Sequence, residues 1–369
     1  MADTVVEISR AVVELSAHWH ELTERSAANV FVGPAITHAL QTNGFEGVLA
    51  LTAWDRTDGN RLVGVWALGH KAVTPIGPTI LTAPPHDYCL LSNPVIDEAY
   101  LDTVMPAFLD AIADDSSLPS VIRLRYLDGG SPSYAALTAA LSARRARFII
   151  VREDDRAFAS PGAGVKQAGA TRRKLRQNWN GLARVGSRSL INDRDPAAVT
   201  AAFETFLTIE SESWKAERDV AVMSDERNTR LARAMVAALA AEGGASVALL
   251  LIDDRAIAAL VLFYAGRVAF TWKTTFDRAY EKYSPGALLH DRITEELLGS
   301  GVIDAVDSCS HFGGFATRLW TGRRKTADLV IDLNPRRSPA FFAAQFRARG
   351  HVFAQHWRLP GRAIVPLAN

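Results

Sequence analysis

Three apolar, strand-like runs follow one another between residues 245 and 276, separated only by short polar turns at 253–255 and 266–267. Turns this short join antiparallel neighbours, so these runs predict a three-stranded meander. The next run has Leu289, Ile293 and Leu297 at helical spacing, and the sequence IDAVDSC after it is typical of a strand. Because a strand, helix and strand in this order form a right-handed crossover, the last strand is expected to lie parallel to its neighbour. This order restricts the second half to a mixed sheet with helices packed on it.

The first half repeats the order of elements without a visible repeat of residues. Helical patterns precede two β-rich runs, 45–54 and 61–70, which a polar turn joins into a predicted hairpin; a further helix and strand follow. The segment ASPGAGVKQAGAT (159–171) is rich in Gly and small residues, which is typical of a boundary. We therefore predict an α/β chain of two similar domains, 1–160 and 161–369, each a central mixed sheet flanked by helices.

The composition excludes several broad classes of protein. The chain has 369 residues and a net charge of +1, which disfavours a generally basic nucleic-acid binder. No apolar run reaches the length of a membrane span, and the N-terminus lacks the pattern of a signal peptide. The two cysteines, Cys89 and Cys309, have no metal-ligand spacing. We expect a cytoplasmic, reduced, soluble protein with neither a membrane span nor a metal site.

The start of the crossover helix, Tyr283-Ser284-Pro285-Gly286, has two interpretations. Ser at the N-cap and Pro at N1 favour a well-capped helix that needs no ligand. The first helical turn also presents N–H groups and a partial positive charge, which together bind phosphates in many proteins. After a meander and before a parallel strand, the second interpretation is the stronger one.

The residues of the second half extend this argument. The stretches WKTTFDRAYEKYSPGALLHDRITEELLGSGVIDAVDSC and ETFLTIESESWKAERDVAV, with the early NVFVGPAITHAL, resemble the cellulose-biosynthesis (CelD-type) acetyltransferase branch of the GNAT superfamily. That branch has tandem GNAT-like halves, akin to the FemAB peptidyl transferases. The resemblance runs from about residue 25 to 335 and is most specific at 283–286 and 213–215. It implies acyl transfer to an amine, with acyl-CoA (acetyl-CoA) as donor and co-substrate.

For the donor, the resemblance implies phosphate contacts at the start of the helix; the residues are Ser284, Gly286, Ala287 and Leu288, with Lys273 nearby. Tyr283 is a candidate proton donor to the leaving thiolate. Two departures stand out. Tyr283 and Leu288 replace the Gln/Arg and the second small residue of the usual GNAT phosphate loop, and the Tyr and Lys expected before Trp320 are missing from SHFGGFATRLW.

For the acceptor, Glu210 and Asp307 are the candidate general bases, because an amine must be neutral to attack a thioester. Glu210 lies near a helix end, and Asp307 ends the last core strand. The candidate substrate-binding residues are Trp214, Lys215, Trp272 and His311. Strand alternation predicts that Trp272 and Lys273 face opposite sides of the sheet. Each of these residues also has an ordinary interpretation, as core aromatic or solvated charge.

The sequence favours a tandem-GNAT N-acyltransferase that acts on a small amine, an amino sugar or a polysaccharide precursor. A helix beginning near residue 171 carries Arg172, Arg173, Lys174 and Arg176 on one face, which we take as its solvated side. That face leaves open a FemAB-like transferase that uses aminoacyl-tRNA. A non-catalytic scaffold with the same fold is the second alternative.

Overall fold

The computed structural model describes residues 4–9, 15–45, 47–57, 59–213, 221–310, 314–336 and 338–356, with side chains for all of these except 349 and 351–356. The elements, in chain order, are β1 (Thr4–Ser9), α1 (Ser16–Glu24), α2 (Pro34–Thr42), β2 (Val48–Asp55), β3 (Arg61–Ala72), β4 (Thr79–Ala83), β5 (Val95–Ile96), α3 (Leu101–Asp114), β6 (Val121–Asp128), α4 (Pro132–Ala143), β7 (Arg147–Ala159), α5 (Ala170–Leu182), β8 (Arg188–Ile191), α6 (Pro196–Ser211), α7 (Glu226–Ala241), β9 (Ala245–Ile252), β10 (Arg255–Ala265), β11 (Val268–Phe276), α8 (Pro285–Gly299), β12 (Ala305–Asp307), α9 (Phe315–Leu319), β13 (Arg323–Asp332) and α10 (Pro339–His356).

Two compact units divide these elements. The first unit comprises residues 1–154 together with 325–369, and the second comprises residues 155–324. The domains predicted from the sequence, 1–160 and 161–369, differ from these units mainly at the C-terminal end. The physical reason is that β13 pairs antiparallel with β6 of the first unit, so the chain after residue 324 belongs with the N-terminal elements.

The first unit is built on the strand order β1-β2-β3-β4-β6-β13, with β5 attached to β3. β2, β3 and β4 form an antiparallel meander, and β6 lies parallel to β4 after the crossover through α3. Leu81, Ile122 and Leu124 pack with Phe108 of α3 and Leu137 of α4 in one apolar cluster. Alternation along each strand thus buries one face of this sheet under the two helices.

The second unit repeats the pattern. β9, β10 and β11 form an antiparallel meander, β8 flanks β9, and β12 lies parallel to β11 after the crossover through α8. Leu260 and Leu262 of β10 pack with Leu288 and Leu289 of α8. The predicted α/β class, with a mixed sheet flanked by helices, is confirmed. The meander, crossover helix and parallel strand predicted for the second half are present, and the first half, where a hairpin was predicted, has the same arrangement.

The described residues include neither a membrane-spanning helix nor a cluster of metal ligands. No helix in that part of the chain is both long and apolar enough to cross a bilayer. The same residues contain no group of three or more His, Cys, Asp or Glu side chains placed to hold a metal ion.

Candidate active site

The second sheet opens between β11 and β12. The two parallel strands pair over Val268–Phe270 and Ala305–Asp307, and β12 ends there, whereas β11 continues to Phe276. Backbone groups of β11 beyond Phe270 therefore lose β12 as a neighbour. We call this opening, between residues 271–276 and the chain after Asp307, the fork. Ligands in open α/β sheets bind at such carboxyl ends of parallel strands.

A β-bulge lies at the start of the fork. Val261 pairs with Lys273, but the next residue of β10 pairs with Thr271, so Trp272 is an extra residue on β11. The Trp272 ring stacks on Phe263 with ring centroids 4.8 Å apart, and Lys273 Nζ lies 5.3 Å from the Trp272 ring. The predicted opposite orientation of Trp272 and Lys273 is therefore wrong, because a bulge interrupts strand alternation.

Most backbone N–H groups in the first turn of α8 already donate hydrogen bonds within the protein. Ser284 adopts a left-handed conformation (φ 52°) at the N-cap, and its side chain makes no capping hydrogen bond. Its carbonyl accepts hydrogen bonds from the N–H groups of Ala287 (3.0 Å) and Leu288 (3.1 Å), and Pro285 has no N–H. Within residues 284–288, only the Gly286 N–H has no protein partner among the residues that the structure describes. The phosphate-binding site predicted here therefore offers one free backbone N–H group instead of several.

Gly286 itself is buried against β11. A Cβ atom at this position would meet Phe276 Cδ1 and Thr274 Cγ2, both at 3.4 Å, which is ordinary van der Waals contact. Leu288 is 1% exposed, so its side chain is part of the core and only its backbone faces the turn. Packing alone therefore does not require glycine at position 286.

Tyr283 precedes this turn and packs against α5. A Cβ atom added at Gly181 would lie 2.9 Å from Tyr283 Cε1, so the glycine in α5 makes room for the ring. The Tyr283 hydroxyl makes no hydrogen bond to any described residue, and Lys282 Nζ lies 5.0 Å from its ring. The geometry holds the ring in place and leaves the hydroxyl available.

Glu210 lies in the last turn of α6 with 1% of its surface exposed. Its Oε2 accepts a hydrogen bond from the Val222 N–H at 2.7 Å, and its backbone carbonyl accepts one from the Ser213 hydroxyl at 2.7 Å. The carboxylate therefore fixes the chain that re-enters the described structure at residue 221.

Asp307 is fully buried and bound by cations. Its Oδ2 accepts a hydrogen bond from Arg324 Nη1 at 2.6 Å, and its Oδ1 lies 3.5 Å from Arg156 Nη1. The Cys309 N–H also donates to Oδ1 at 2.8 Å. Asp307 therefore offsets the charge of the buried Arg156 and of Arg324, and both of its carboxylate oxygens are engaged. The sequence analysis missed both arginines.

His290 is a further buried group that the sequence analysis missed. Its Nε2 lies 3.2 Å from Thr271 Oγ1, and the Thr271 hydroxyl donates to the Asp307 carbonyl at 3.2 Å. Burial lowers the pKa of His290 to about 3, so the imidazole is neutral. Its spacing of four residues from both Gly286 and Thr294 in a buried helix was the available signal.

The basic face of α5 is partly engaged. Arg172 pairs with Asp291 and Glu295 of α8, which places it in the interface between the two helices. The other three, Arg173, Lys174 and Arg176, are exposed. The predicted solvated face is therefore found for three of the four residues.

Three candidate residues, Trp214, Lys215 and His311, lie outside the described residues. The remaining ones divide into two groups. The first group lies on α6 or on the strands that bound the fork: Glu210, Trp272, Lys273 and Asp307. The second group lies in the first turn of α8 or just before it: Tyr283, Ser284, Gly286, Ala287 and Leu288.

Comparison with known proteins agrees with this architecture. Residues 169–314, which lie within the second unit, match the family model described as an acetyltransferase (GNAT) domain. A search of curated protein sequences finds no match to this chain.

Several solved structures share the fold across both units. FemX superposes with a TM-score of 0.59 at 11% identity, covering 89% of this chain and 96% of that one. The L-PGS structure from Bacillus licheniformis gives 0.55 at 11% identity, over 90% and 96%. The C-terminal domain of a putative lysylphosphatidylglycerol synthetase from Agrobacterium fabrum gives 0.56 at 13% identity, over 90% and 95%. Identities this low show similarity of fold alone.

Proposed function

We propose that this chain is an N-acyltransferase that moves an acyl group from acyl-CoA, with acetyl-CoA as the simplest donor, to an amine acceptor. The observation that carries the proposal is the fork, where β12 ends at Asp307 while β11 continues beside the start of α8. The match of residues 169–314 to an acetyltransferase domain supports the same chemistry. The CelD-type branch of that superfamily is part of the proposal.

The donor would lie in the fork with its phosphates toward α8. The Gly286 N–H at the positive end of the helix dipole is the backbone contact available there, and Lys282 is an exposed cation just before it. Backbone N–H groups of β11 near the bulge would polarise the thioester carbonyl. The chain thus offers a smaller phosphate seat than a loop with two glycines.

The reaction is a direct attack. The neutral amine forms a bond to the thioester carbonyl carbon, the oxyanion forms, and its collapse breaks the C–S bond and releases the thiolate. Glu210 would accept the proton from the amine through water, and the Tyr283 hydroxyl would donate one to the thiolate. Asp307, which is engaged by two arginines, would act by positioning the end of β12.

The acceptor is a small amine, an amino sugar or a precursor of a polysaccharide. Trp272 is the described aromatic candidate for its binding, and Trp214, Lys215 and His311 complete the proposed set. Titrating the protein calorimetrically with acetyl-CoA, longer acyl-CoAs and free CoA tests the donor. We expect micromolar to millimolar binding by at least one thioester; heat from none of them would overturn the proposal.

A second candidate is an aminoacyl-tRNA-dependent transferase of the FemAB type. The specific observation in its favour is that residues 156–192 contain eight Lys or Arg and no Asp or Glu, with Arg173, Lys174 and Arg176 exposed on α5. The single free N–H at the start of α8 points the same way. Binding to aminoacyl-tRNA that falls steeply with salt, without binding to any acyl-CoA, would favour this candidate.

A scaffold without catalysis is distinguished by the same titrations. Such a chain would bind neither acyl-CoA nor aminoacyl-tRNA, and a Gly286→Trp substitution would leave its cellular role unchanged. Because that substitution obstructs the start of α8, retained donor binding in the variant would instead place the donor elsewhere.

A further inference from the structure

A group of cations gathers on one face of the first unit's sheet. Lys71 pairs with Ile80 across β3 and β4, and Thr82 pairs with Arg123 across β4 and β6. Ile80 and Thr82 are two residues apart on one strand, so all four side chains project from the same face. Lys71 and Arg123 are two strand spacings apart and offset by two residues along β4, so their Cα atoms are roughly 12 Å apart and their long side chains can converge.

Two further arginines and two carboxylates complete this group, which we call the cation cluster: Lys71, Arg123, Arg125 and Arg347, with Asp87 and Asp328. Four cations and two carboxylates leave an excess of two positive charges. Arg125 forms an ion pair with Asp87, and Asp328 accepts a hydrogen bond from the Tyr126 N–H at 2.9 Å. The excess charge therefore resides mainly on the other cations.

Among the described residues, neither Lys71 nor Arg123 contacts a carboxylate directly, although Asp87 attracts Lys71 and Asp328 attracts Arg123. Within the described part of the chain, neither side chain forms an ion pair or a hydrogen bond. Partial desolvation lowers the pKa of Lys71 and Asp87 raises it, while the nearby Arg125, Arg123 and Arg347 lower it. Burial lowers the pKa of Arg123 too, with Arg125 as the largest repulsive neighbour. Like charges held this close destabilise the cluster until an anion joins it.

Two neighbouring segments of the chain pack close to the cation cluster. A Cβ atom at Gly69 would lie 3.0 Å from Pro85 Cβ, so the segment that leads to Asp87 covers the sheet on one side. On the other side Arg347 of α10 donates a hydrogen bond to the Val73 carbonyl. Lys71 and Arg123 project from β3 and β6, whose backbone pairing with β4 fixes where each side chain starts.

We infer that the cation cluster of the first unit is a binding site for a phosphate-type oxyanion, either a phosphate ester or a diphosphate. Arginine presents a planar fork that matches two oxygens of such a group, and lysine adds a point charge from the opposite side. A monocarboxylate carries one charge and leaves part of the excess unbalanced, which favours the more highly charged group. This site is separate from the proposed donor site, which lies in the second unit.

Titration of the full chain with inorganic pyrophosphate at low salt tests this inference. We expect one site whose affinity falls about tenfold or more in Lys71→Met and in Arg123→Met, since each removes a charge-assisted contact. The control is Arg144→Met in the same unit, where Arg144 at the end of α4 is already paired with Asp110. The control is expected to bind as the wild type does.

Further variants keep the result interpretable. Lys71 is exposed, so Lys71→Met is expected to fold even if Arg123→Met does not. Gly286→Trp should retain pyrophosphate binding, which separates this site from the donor site. A second titration with uridine diphosphate distinguishes free diphosphate from a nucleotide-linked one, because only the latter gains affinity from the nucleoside. Absence of pyrophosphate binding, or equal binding in both cluster variants and the wild type, would overturn the inference.

Discussion

His290 Nε2 lies 3.2 Å from Thr271 Oγ1, and this contact connects α8 to the fork. Because the Thr271 hydroxyl donates to the Asp307 carbonyl, its oxygen must accept from His290, so Nε2 carries the imidazole proton. The other ring nitrogen, Nδ1, has no partner among the described residues. The neutral His290 side chain therefore orients Thr271 of β11, and Thr271 in turn binds Asp307 at the end of β12.

Replacing His290 tests this connection. Gln carries its amide nitrogen at nearly the same distance along the side chain as Nε2, whereas Asn carries it near Nδ1. We therefore expect His290→Gln to retain the hydrogen bond to Thr271 and His290→Asn to lose it, at a cost of about 1–3 kcal/mol. Hydrogen exchange of residues 268–276 and 305–307 measures the effect. Equal exchange rates in the two variants would show that the contact does not hold the fork.

The buried imidazole also predicts how stability depends on pH. Its pKa is lowered by burial to about 3 in the folded chain and is near 6.5 when unfolded. Below pH 6.5 the unfolded chain therefore binds a proton that the folded chain does not, so this contribution to stability falls as the pH drops toward 3. Relative to His290→Gln, the wild type should lose up to about 1.4 kcal/mol per pH unit.

Urea unfolding of the wild type and His290→Gln at pH 7, 6 and 5 checks this sign. The other histidines and all carboxylates are common to both proteins, so their contributions cancel in the difference. A difference in unfolding free energy that stays constant over this range would mean that His290 is protonated in the folded chain as readily as in the unfolded one.

Asp307→Asn separates a structural role from a catalytic one. The change removes the charge with which Asp307 pairs with Arg156 and Arg324, and breaking a buried pair in this way costs about 3–5 kcal/mol. The control is Asp304→Asn, since Asp304 and Arg267 are both more than half exposed and an ion pair in solvent contributes little to stability. The denaturant midpoints of both variants measure the loss of stability. An Asp307→Asn protein that is as stable as the wild type but has lost turnover would indicate that Asp307 is the general base.

Glu210→Gln addresses the remaining base candidate. Gln keeps a carbonyl oxygen that can accept from the Val222 N–H, so the fold around α6 should survive. We expect turnover to fall about 10²–10⁴-fold while donor affinity stays within about threefold, because general-base catalysis is lost and donor contacts are not. The readout is kcat beside calorimetric donor affinity. Donor affinity that falls in step with turnover would contradict this role.

The order of elements could be predicted from the sequence because each signal is local. The apolar runs that form β9, β10 and β11, their short polar turns and the helical spacing in α8 each lie within a short window of sequence. The contacts around Asp307 could not be predicted in this way, since Arg156 and Arg324 reach it only once β7, β12 and the chain after α9 assemble. The bulge at Trp272 likewise depends on the register with β10, which a single strand does not encode.

At the start of α8 the sequence predicts the helix boundary but not its hydrogen bonds. Ser284-Pro285 marks the helix boundary correctly, yet the left-handed Ser284 and its double acceptance of N–H groups appear only in three dimensions. A motif that suggests several free donors therefore presents one. The Gly286 N–H is therefore the one backbone group in this turn that we expect to bind a phosphate of the acyl donor. Adding a methyl group at this position tests that contact.

Gly286→Ala should stabilise the fold and weaken donor binding. Alanine favours helix over glycine by up to about 1 kcal/mol, and its methyl group would make only ordinary contacts with Thr274 and Phe276. A phosphate that approaches the Gly286 N–H closely would, however, meet that methyl group. The control is Gly299→Ala at the other end of α8, where an added Cβ has no neighbour within 4 Å. Both variants should unfold at a higher temperature, but only Gly286→Ala should lose acyl-CoA affinity; equal affinity in the two would exclude close approach of the donor to this turn.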